Sequence, residues 1–531
     1  MNRPTPPTTP PSALAPLRHR LFRALWIASL ASNVGTWMQN TAAAWLMTSL
    51  SPSPVMVALT QTATSLPYFL LALPAGALAD VVDRRRVLLI TQVWMALTAA
   101  ALALISFLGW IDAWSLLGLT FALGIGAAFT APAWQAYAPN LVRRDDLPAA
   151  VALSGVSLNV ARAVGPAAGG FLFAARGPGA VFLANAVSFL TLVAVLLVAR
   201  PTTPTSSLPP ERVVGAMRAG ARFVRHSSAY RAVLVRSAAF MLPASALWAL
   251  LPLVARHDLG MSAVGYGLLL GSLGSGAITG AALLPRLRAR LTADHLLATA
   301  SLTFAAATAL LGSMRDAPAV AAAMFVAGIA WMGAVATLTV AAQSAAPAWV
   351  RARALAMSML VVQGGLAISS LAWGAVADRV SSPEALLVAG AALVLAIAAT
   401  WRFRLHGLDD LDLTPNPHWP APVILGEIDV ERTPVMVTVE YEIDPEKAEA
   451  FASAMEEIAA MRRRDGAISW GLYRDAQRPG RFLETFLVPS WLEHLRQHER
   501  STEADRRLEE TVSAFLQHGR PTVTHFVGVR D

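Results

Sequence analysis

The sequence predicts an all-α polytopic membrane protein with 12 transmembrane helices as two six-helix pseudo-repeats, plus a small C-terminal α+β, ferredoxin-like cytoplasmic domain. Three observations carry this reading. Only 14% of the residues are charged and 55% are hydrophobic, against roughly 25% charged in an average soluble protein. The apolar residues gather in runs near the roughly 20 residues that a bilayer-spanning helix needs. After Trp401 the composition turns polar, with acids and bases mixed as on a soluble surface.

Residues 1–20 are Pro/Thr-rich and lack the apolar core of a secretory signal, so they read as a disordered cytoplasmic tail. The first bundle, 21–199, holds the spans Leu21–Met47, Val55–Ala79, Val87–Leu108, Ser115–Tyr137, Ala150–Ala174 and Gly179–Ala199. A linker, 200–231, begins with Pro, Ser and Thr. It continues with Val214, Met217, Ala221 and Val224 at helical spacing beside Arg218, Arg222 and Arg225. That pattern fits either a basic helix on the inner leaflet or a plain connector. The second bundle, 232–401, holds Ala232–Ala255, Ser262–Pro285, His295–Ser313, Ala317–Ala345, Ala354–Ala377 and Glu384–Trp401.

A second linker, 402–432, leads to the domain 433–531. Its alternating and helical periods read as strand Val435–Ile443, helix Pro445–Arg464, strands Ile468–Asp475 and Phe482–Pro489, one or two helices in Trp491–Gln517, and strand Val523–Val527. This βαββαβ order is ferredoxin-like.

Basic loops stay on the cytoplasmic side. Arg18, Arg20 and Arg23, Arg84 to Arg86, Arg143 and Arg144, Arg212 to Arg231, Arg286, Arg288 and Arg290, Arg351 and Arg353, and Arg402 and Arg404 fall on one set of junctions. The alternate set carries little beyond Arg176, Arg256, Arg315 and Arg379. Both termini and the C-terminal domain are therefore expected in the cytoplasm, and the location expected is a bacterial inner membrane. The halves also repeat: APNLVRRDDLPAA aligns with APAWVRARALAMSM, and GALADVVDRRR loosely with GAALLPRLRAR, at nearly one offset. The net charge of +8 is spread over junctions rather than gathered on a face, so nucleic acid is not an expected partner. With no cysteine, disulfides, thiolate metal sites and thiol nucleophiles are excluded.

GALADVVDRRR resembles the loop between the second and third helices of the major facilitator superfamily: Gly76, Asp80, Arg84 and Arg85 fit its pattern, while Val81 and Asp83 replace a usual basic residue and a usual glycine. SNVGTWMQN, LNVARAVGPAAGG and WVRARALAMSMLVVQGG resemble the branch that includes the enterobactin exporter and other secretion or efflux carriers. The tail, with VTVEYEIDPEKAEAF and RFLETFLVPSWLEHLRQHER, is similar to antibiotic-biosynthesis-monooxygenase-like domains that pair as dimers.

The resemblance implies a secondary carrier exporting a small amphipathic molecule (a drug, siderophore or secondary metabolite) by alternating access. No phosphate-binding loop is present, so an ion gradient, with a proton as coupling ion, is the expected driver and no cofactor is expected. An importer of the same fold, a membrane-tethered oxygenase-like enzyme and a sensor are the alternatives. Counted from the cytoplasmic ends at about 1.5 Å per residue, Asn33, Thr36, Asn159, Arg162 and Gln363 fall near half depth. Gln39, Asn40 and Gln61 lie nearer the outer mouth. Arg162 carries the clearest signal, because a charge at the bilayer centre costs about 2.5–3.5 kcal/mol and needs a cavity or partner; it reads as a substrate or gating contact, or as a tie between helices.

Gly165, Pro166, Gly169 and Gly170 would let the fifth span bend or approach a neighbour. Gly76, Asp80, Arg84, Arg85, Arg351 and Arg353 are the expected gate, with Asp80 acting on the start of the eleventh span. No acid stands at a span's centre, Asp80 and Asp378 sitting at helix ends, which counts against a buried proton carrier. His494 and His498 share a helix face without an identifiable third ligand, so no metal is expected there. The partners expected are a small-molecule substrate, the lipid bilayer, and a second copy through the C-terminal domain.

Overall fold

The computed structural model describes residues 14–137, 142, 146–198, 213–405, 412–416, 419, 429–431, 433–517 and 521–529. The Pro/Thr-rich start up to residue 13, Arg143, Arg144, Arg212 and most of the second linker lie outside them, as do the side chains of Asp80, Val81, Val214, Met217 and Arg218.

Twelve long helices stand where the apolar windows predict them: α1 (Arg20–Leu50), α2 (Pro54–Val81), α3 (Arg84–Phe107), α4 (Ala113–Tyr137), α5 (Leu147–Arg176) and α6 (Pro178–Val198), then α8 (Ser228–Leu253), α9 (Ala263–Arg288), α10 (Ala293–Ser313), α11 (Ala317–Ser344), α12 (Arg351–Arg379) and α13 (Ser382–Ala399), with the short α7 (Val213–His226) between the sets. Among the described residues, eleven helices are long and apolar enough to cross a membrane. The twelfth, α1, has 31 residues, or about 46 Å at 1.5 Å per residue, and its apolar character is diluted by Asn33, Gln39 and Asn40.

Side-chain caps start several helices. Asp83 accepts from the backbone N of Arg86 at 2.9 Å at the head of α3, and Ser262, Thr292 and Ser381 cap α9, α10 and α13. The aspartate at a position where the family carries glycine is thus an N-cap.

Two expectations are corrected. Ala15–Arg18 form a turn of 3-10 helix with Pro16 buried, so the chain is ordered from Leu14, ahead of the residue-20 boundary expected for the tail. Helix α10 begins at Ala293, not His295, because Thr292 caps it, and this draws the buried Asp294 into the helix.

Two compact units emerge. The first joins residues 1–209, 236–337 and 359–402. Its first six helices pack as α3 on α6, α2 on α4 and α1 on α5 and α6, and α5 packs on α9. Small residues set these spacings: a β carbon on Gly169 would stand 2.8 Å from the Met38 backbone, and one on Gly274 would stand 2.5 Å from Ala163 Cα. Gly276 and Gly328 would clash with the carbonyls of Phe325 and Leu273, so α9 and α11 touch backbone to backbone.

The second unit gathers residues 210–235, 338–358 and 403–531. Its strands β1 (Val435–Glu442), β2 (Ser469–Arg474), β3 (Arg481–Val488) and β4 (Thr522–Val527) form an antiparallel sheet ordered β2-β3-β1-β4, with α14 (Ala448–Asp465), α15 (Trp491–Arg500) and α16 (Glu503–Ser513) in the connections. This is the split βαβ order read from the sequence. Alternation along β3 sends Phe482, Glu484, Phe486 and Val488 to the core with Val435, Val437, Val439, Tyr441, Phe451 and Trp491.

The described half of α7 packs on protein. Arg222 donates to Glu493 at 2.9 Å, Phe223 is buried in edge contact with Tyr230 and Trp349, and α14 lies alongside. Arg500 stacks on Trp349 at 4.7 Å and also pairs with Glu493 at 2.6 Å. Burial pushes the Glu493 carboxyl up, but the Arg500 and Arg222 guanidiniums outweigh it and hold the group below its usual range.

The His494 ring lies 4.8 Å from the rings of both His498 and His525. No set of three ligating side chains among the described residues could hold a metal. Burial pushes the His494 imidazole down to about 4, opposed by its hydrogen bond to Gln497. Between the unfolded value near 6.5 and that folded value, the unfolded chain takes up a proton that the folded domain refuses. Stability is therefore fully present above about pH 6.5 and falls by about 3 kcal/mol as the pH drops to about 4. Denaturant unfolding at pH 7, 5.5 and 4.5, followed through a fluorophore on a single cysteine introduced into this domain of the otherwise cysteine-free chain, reads this out, and a flat profile would contradict it.

Candidate transport pathway

Arg162 is residue 16 of the 30 in α5 and so stands at its middle. Its guanidinium carbon lies 5.4 Å from the Trp37 ring on α1, and Nε is buried with no hydrogen-bond partner among the described residues. From Trp37 an aromatic chain crosses toward the second six helices. Trp248 on α8 lies 6.3 Å away, Trp331 on α11 lies 5.4 Å beyond that, and Phe240 and Phe304 pack against Trp331 at 5.6 and 5.7 Å. The Trp248 indole N–H is also buried without a described partner.

The other expected pathway residues separate. Asn33 reaches Ser157 Oγ at 3.4 Å, tying α1 to α5 beside this site. Thr36 donates to the Ser32 carbonyl, Gln61 to Ser65 Oγ and Asn159 to the Gly155 carbonyl, all within their own helices. Gln39 is buried and accepts from Asn185 on α6, so it joins helices within the first half. Asn40 and Gln363 are half-buried.

The GPAAGG stretch presses α5 against two neighbours at once. Gly165 and Gly169 face Trp37 and Met38 of α1, whereas Gly170 faces the Ala263 carbonyl of α9 and the Pro166 carbonyl faces Gly267. A β carbon at Gly165 would stand 2.6 Å from Trp37 Cβ. Of the expected gate, Asp80 is in the last turn of α2, and no contact crowds Gly76. Arg85 donates to the Leu196 and Leu197 carbonyls at 2.7 and 2.9 Å, capping the end of α6. Arg84 starts α3, Arg351 donates to the Ala346 carbonyl at 3.1 Å, and Arg353 packs against Gly220.

Three features were absent from the sequence reading. Tryptophans at mid-span are one, and their signal was available, since Trp favours the membrane interfaces rather than the middle. The second is the Arg236–Asp294 ion pair, 3.3 Å long with both side chains 2% exposed, in which Arg236 also stacks on Trp401 at 5.6 Å. The third is a latch at the far ends of α1 and α8. There a π-helical turn, Val254–Asp258, presents Arg256 to the hydroxyls of Thr48 and Ser49 and to the Trp45 ring at 5.6 Å, while Trp45 stacks on Tyr266.

These latch contacts together are worth about 1–2 kcal/mol, or roughly 5- to 30-fold in an opening equilibrium. Arg256→Ala is therefore expected to raise maleimide labelling of a cysteine placed at Ala42, now 1% exposed, by about that factor. The chain has no native cysteine to interfere. Unchanged labelling would remove Arg256 from the closure.

Two sets of six long helices, joined through small-residue faces and carrying charged and aromatic side chains at half depth, define a carrier of the major facilitator type. The profile of the transmembrane secretion effector family matches residues 11–530, running through the sheet domain. The chain belongs to that family, and it is a multi-pass membrane protein of a transporter rather than an enzyme lineage.

Among its relatives, the multidrug efflux pump Tap of Mycolicibacterium fortuitum is 27% identical over 39% of this chain and 53% of its own length. The macrolide efflux protein A of Streptococcus pyogenes is 23% identical over 50% and 65%. The enterobactin exporter EntS of Shigella boydii is 28% identical over 50% and 62%. The chain thus spans less than two thirds of the length of each. Among solved structures, a bacterial homologue of the lysosomal transporter Spinster matches with a TM-score of 0.59 at 14% identity, covering 73% of this chain and 97% of that one. A bacterial homologue of ferroportin matches with a TM-score of 0.56 at 17% identity, covering 72% and 98%.

Proposed function

We propose that this chain is an inner-membrane secondary carrier that exports a small amphipathic drug, siderophore or secondary metabolite by alternating access. The observation that carries the reading is the α5–α9 seam. There Gly267, Gly271 and Gly274 meet the backbone of α5 around Pro166 and Ala163, a smooth surface on which two halves can rock without unpacking side chains. Relatives named as a multidrug pump, a macrolide efflux protein and an enterobactin exporter support the outward direction. The arginine-rich junctions support cytoplasmic termini, and on that orientation the Arg256 latch closes the outer mouth.

Asn33, Thr36, Gln39, Asn40, Gln61, Asn159, Arg162 and Gln363 are the proposed pathway, Arg162 being its centre. A proton is the proposed coupling ion. The sheet face opposite the helices, where Met436, Tyr473 and Phe526 are exposed, supports pairing of two copies through the C-terminal domain.

The test measures accumulation of a panel of dyes, drugs and siderophores in cells with and without the protein. At least one compound is expected to accumulate several-fold less with it, and a protonophore is expected to erase the difference. No change for any compound would end the export reading; export that survives the protonophore would end proton coupling alone.

A further inference from the structure

Two buried N–H donors flank one indole. The Arg162 Nε and the Trp248 Nε1 each lack a hydrogen-bond partner among the described residues, and both belong to side chains beside Trp37: the Arg162 guanidinium carbon lies 5.4 Å and the Trp248 ring centre 6.3 Å from the centre of its ring. A buried donor left unmade costs about 1–3 kcal/mol, and more where the group is charged. Two such donors around the same ring are a standing demand for acceptors. Among the described residues no carboxylate forms an ion pair with the Arg162 guanidinium. Asn159, three residues earlier on α5, donates its side-chain N–H to the Gly155 carbonyl at 3.0 Å, and its amide oxygen forms no described hydrogen bond to Arg162.

The neighbouring side chains are aromatic. Trp37, Trp248 and Trp331 follow one another at 6.3 and 5.4 Å and run into Phe240 and Phe304. Arg162 and Trp37 stand near the middles of helices of 30 and 31 residues, at the depth of the apolar spans. In that medium a lone guanidinium attracts an anion and repels a cation far more strongly than at a surface. Indole faces receive flat rings.

We propose that this half-depth site takes a planar aromatic anion, whose oxyanion accepts from Arg162 and from the Trp248 N–H while its ring lies against Trp37. This rests on the carrier reading and narrows its substrate class: an aromatic carboxylate or phenolate is favoured, and a cationic amine is disfavoured. Trp248 becomes a specificity residue because only its N–H, not its ring, distinguishes an oxyanion from an apolar edge.

The full chain in lipid nanodiscs is titrated against two dyes that share a xanthene ring and differ in charge, anionic fluorescein and cationic rhodamine 6G, followed by anisotropy. Fluorescein is expected to bind at least tenfold more tightly. Arg162→Gln, which keeps a polar side chain of similar reach, is expected to weaken fluorescein about 10- to 100-fold while leaving or improving rhodamine 6G; Arg162→Lys falls between. Trp248→Phe, which keeps an aromatic ring, is expected to cost fluorescein about 3- to 10-fold.

Folding of each variant is checked by retained helical circular dichroism and elution volume, and Trp248→Phe keeps the proposal testable if every Arg162 variant misfolds. Equal binding of the two dyes, or a fluorescein affinity untouched by Arg162→Gln and Trp248→Phe, would overturn the proposal. Flux in proteoliposomes separates it from the transport reading. Rhodamine 6G moved without fluorescein binding would sink the anion site and leave the carrier standing. Fluorescein bound through Arg162 but never moved would do the reverse.

Discussion

Replacing Glu484 with alanine is expected to unfold the C-terminal sheet domain. Glu484 is fully buried on β3 and accepts from three donors: Tyr441 Oη at 2.8 Å, Trp470 Nε1 at 2.9 Å and Arg462 Nε at 3.2 Å. Removing it leaves these donors without their acceptor and takes one of two carboxylates from a guanidinium held between Trp419 and Phe486. Breaking a buried pair on one side costs about 3–5 kcal/mol, a large share of the roughly 5–15 kcal/mol that a whole domain has. Glu484→Gln keeps one acceptor oxygen, on the side of Trp470 and Arg462, and turns an amide N–H toward Tyr441 Oη, which can rotate to accept it; this is expected to cost about half as much. Limited trypsin digestion of the full chain, with its many arginines in this domain, reads the difference. A Glu484→Ala tail as resistant as the parent would refute the assignment.

Asp294→Ala is expected to reduce folded yield at least as severely. Its partner Arg236 is on α8, inside the first unit, and both side chains are 2% exposed. The substitution leaves the guanidinium without this carboxylate among helices, at about 3–5 kcal/mol. Replacing both residues by leucine removes the buried charge together with its partner, and such exchanges are commonly neutral or stabilising. The double variant is therefore expected to recover the elution profile and thermal midpoint in detergent that the single variant loses. If the double variant folds and still fails to move substrate, the pair has a part in the cycle beyond holding α8 to α10. Recovery of neither property would show that Arg236 depends on more than Asp294.

The helices were legible because a span is a local property: about 20 apolar residues in a row satisfy lipid wherever the rest of the chain goes. Asp83 and Thr292 were legible in the same way, as capping residues at the heads of helices, although Asp83 was read only as replacing a glycine and the helix after Thr292 was started two residues late. Glu484 was legible in principle, since RFLETFLV alternates so that an acid shares a stripe with Phe482 and Phe486. Arg162 stood out because a charge in mid-span has few explanations.

The sequence alone therefore determined that this chain crosses the membrane as two sets of six helices, where each helix runs, which family it joins, and that a βαββαβ domain follows. Periodicity and run length are read along the chain, and they need no partner to be interpreted. Only the tertiary structure decided what the polar residues do. Asp294 meets Arg236 from 58 positions away, Arg256 meets Thr48 across 208, and Arg162 and Trp248 each approach Trp37, which stands on a third helix. Such meetings depend on how helices cross, and the crossings are set by where glycines let backbones touch, a property of pairs of helices that no single stretch of sequence contains.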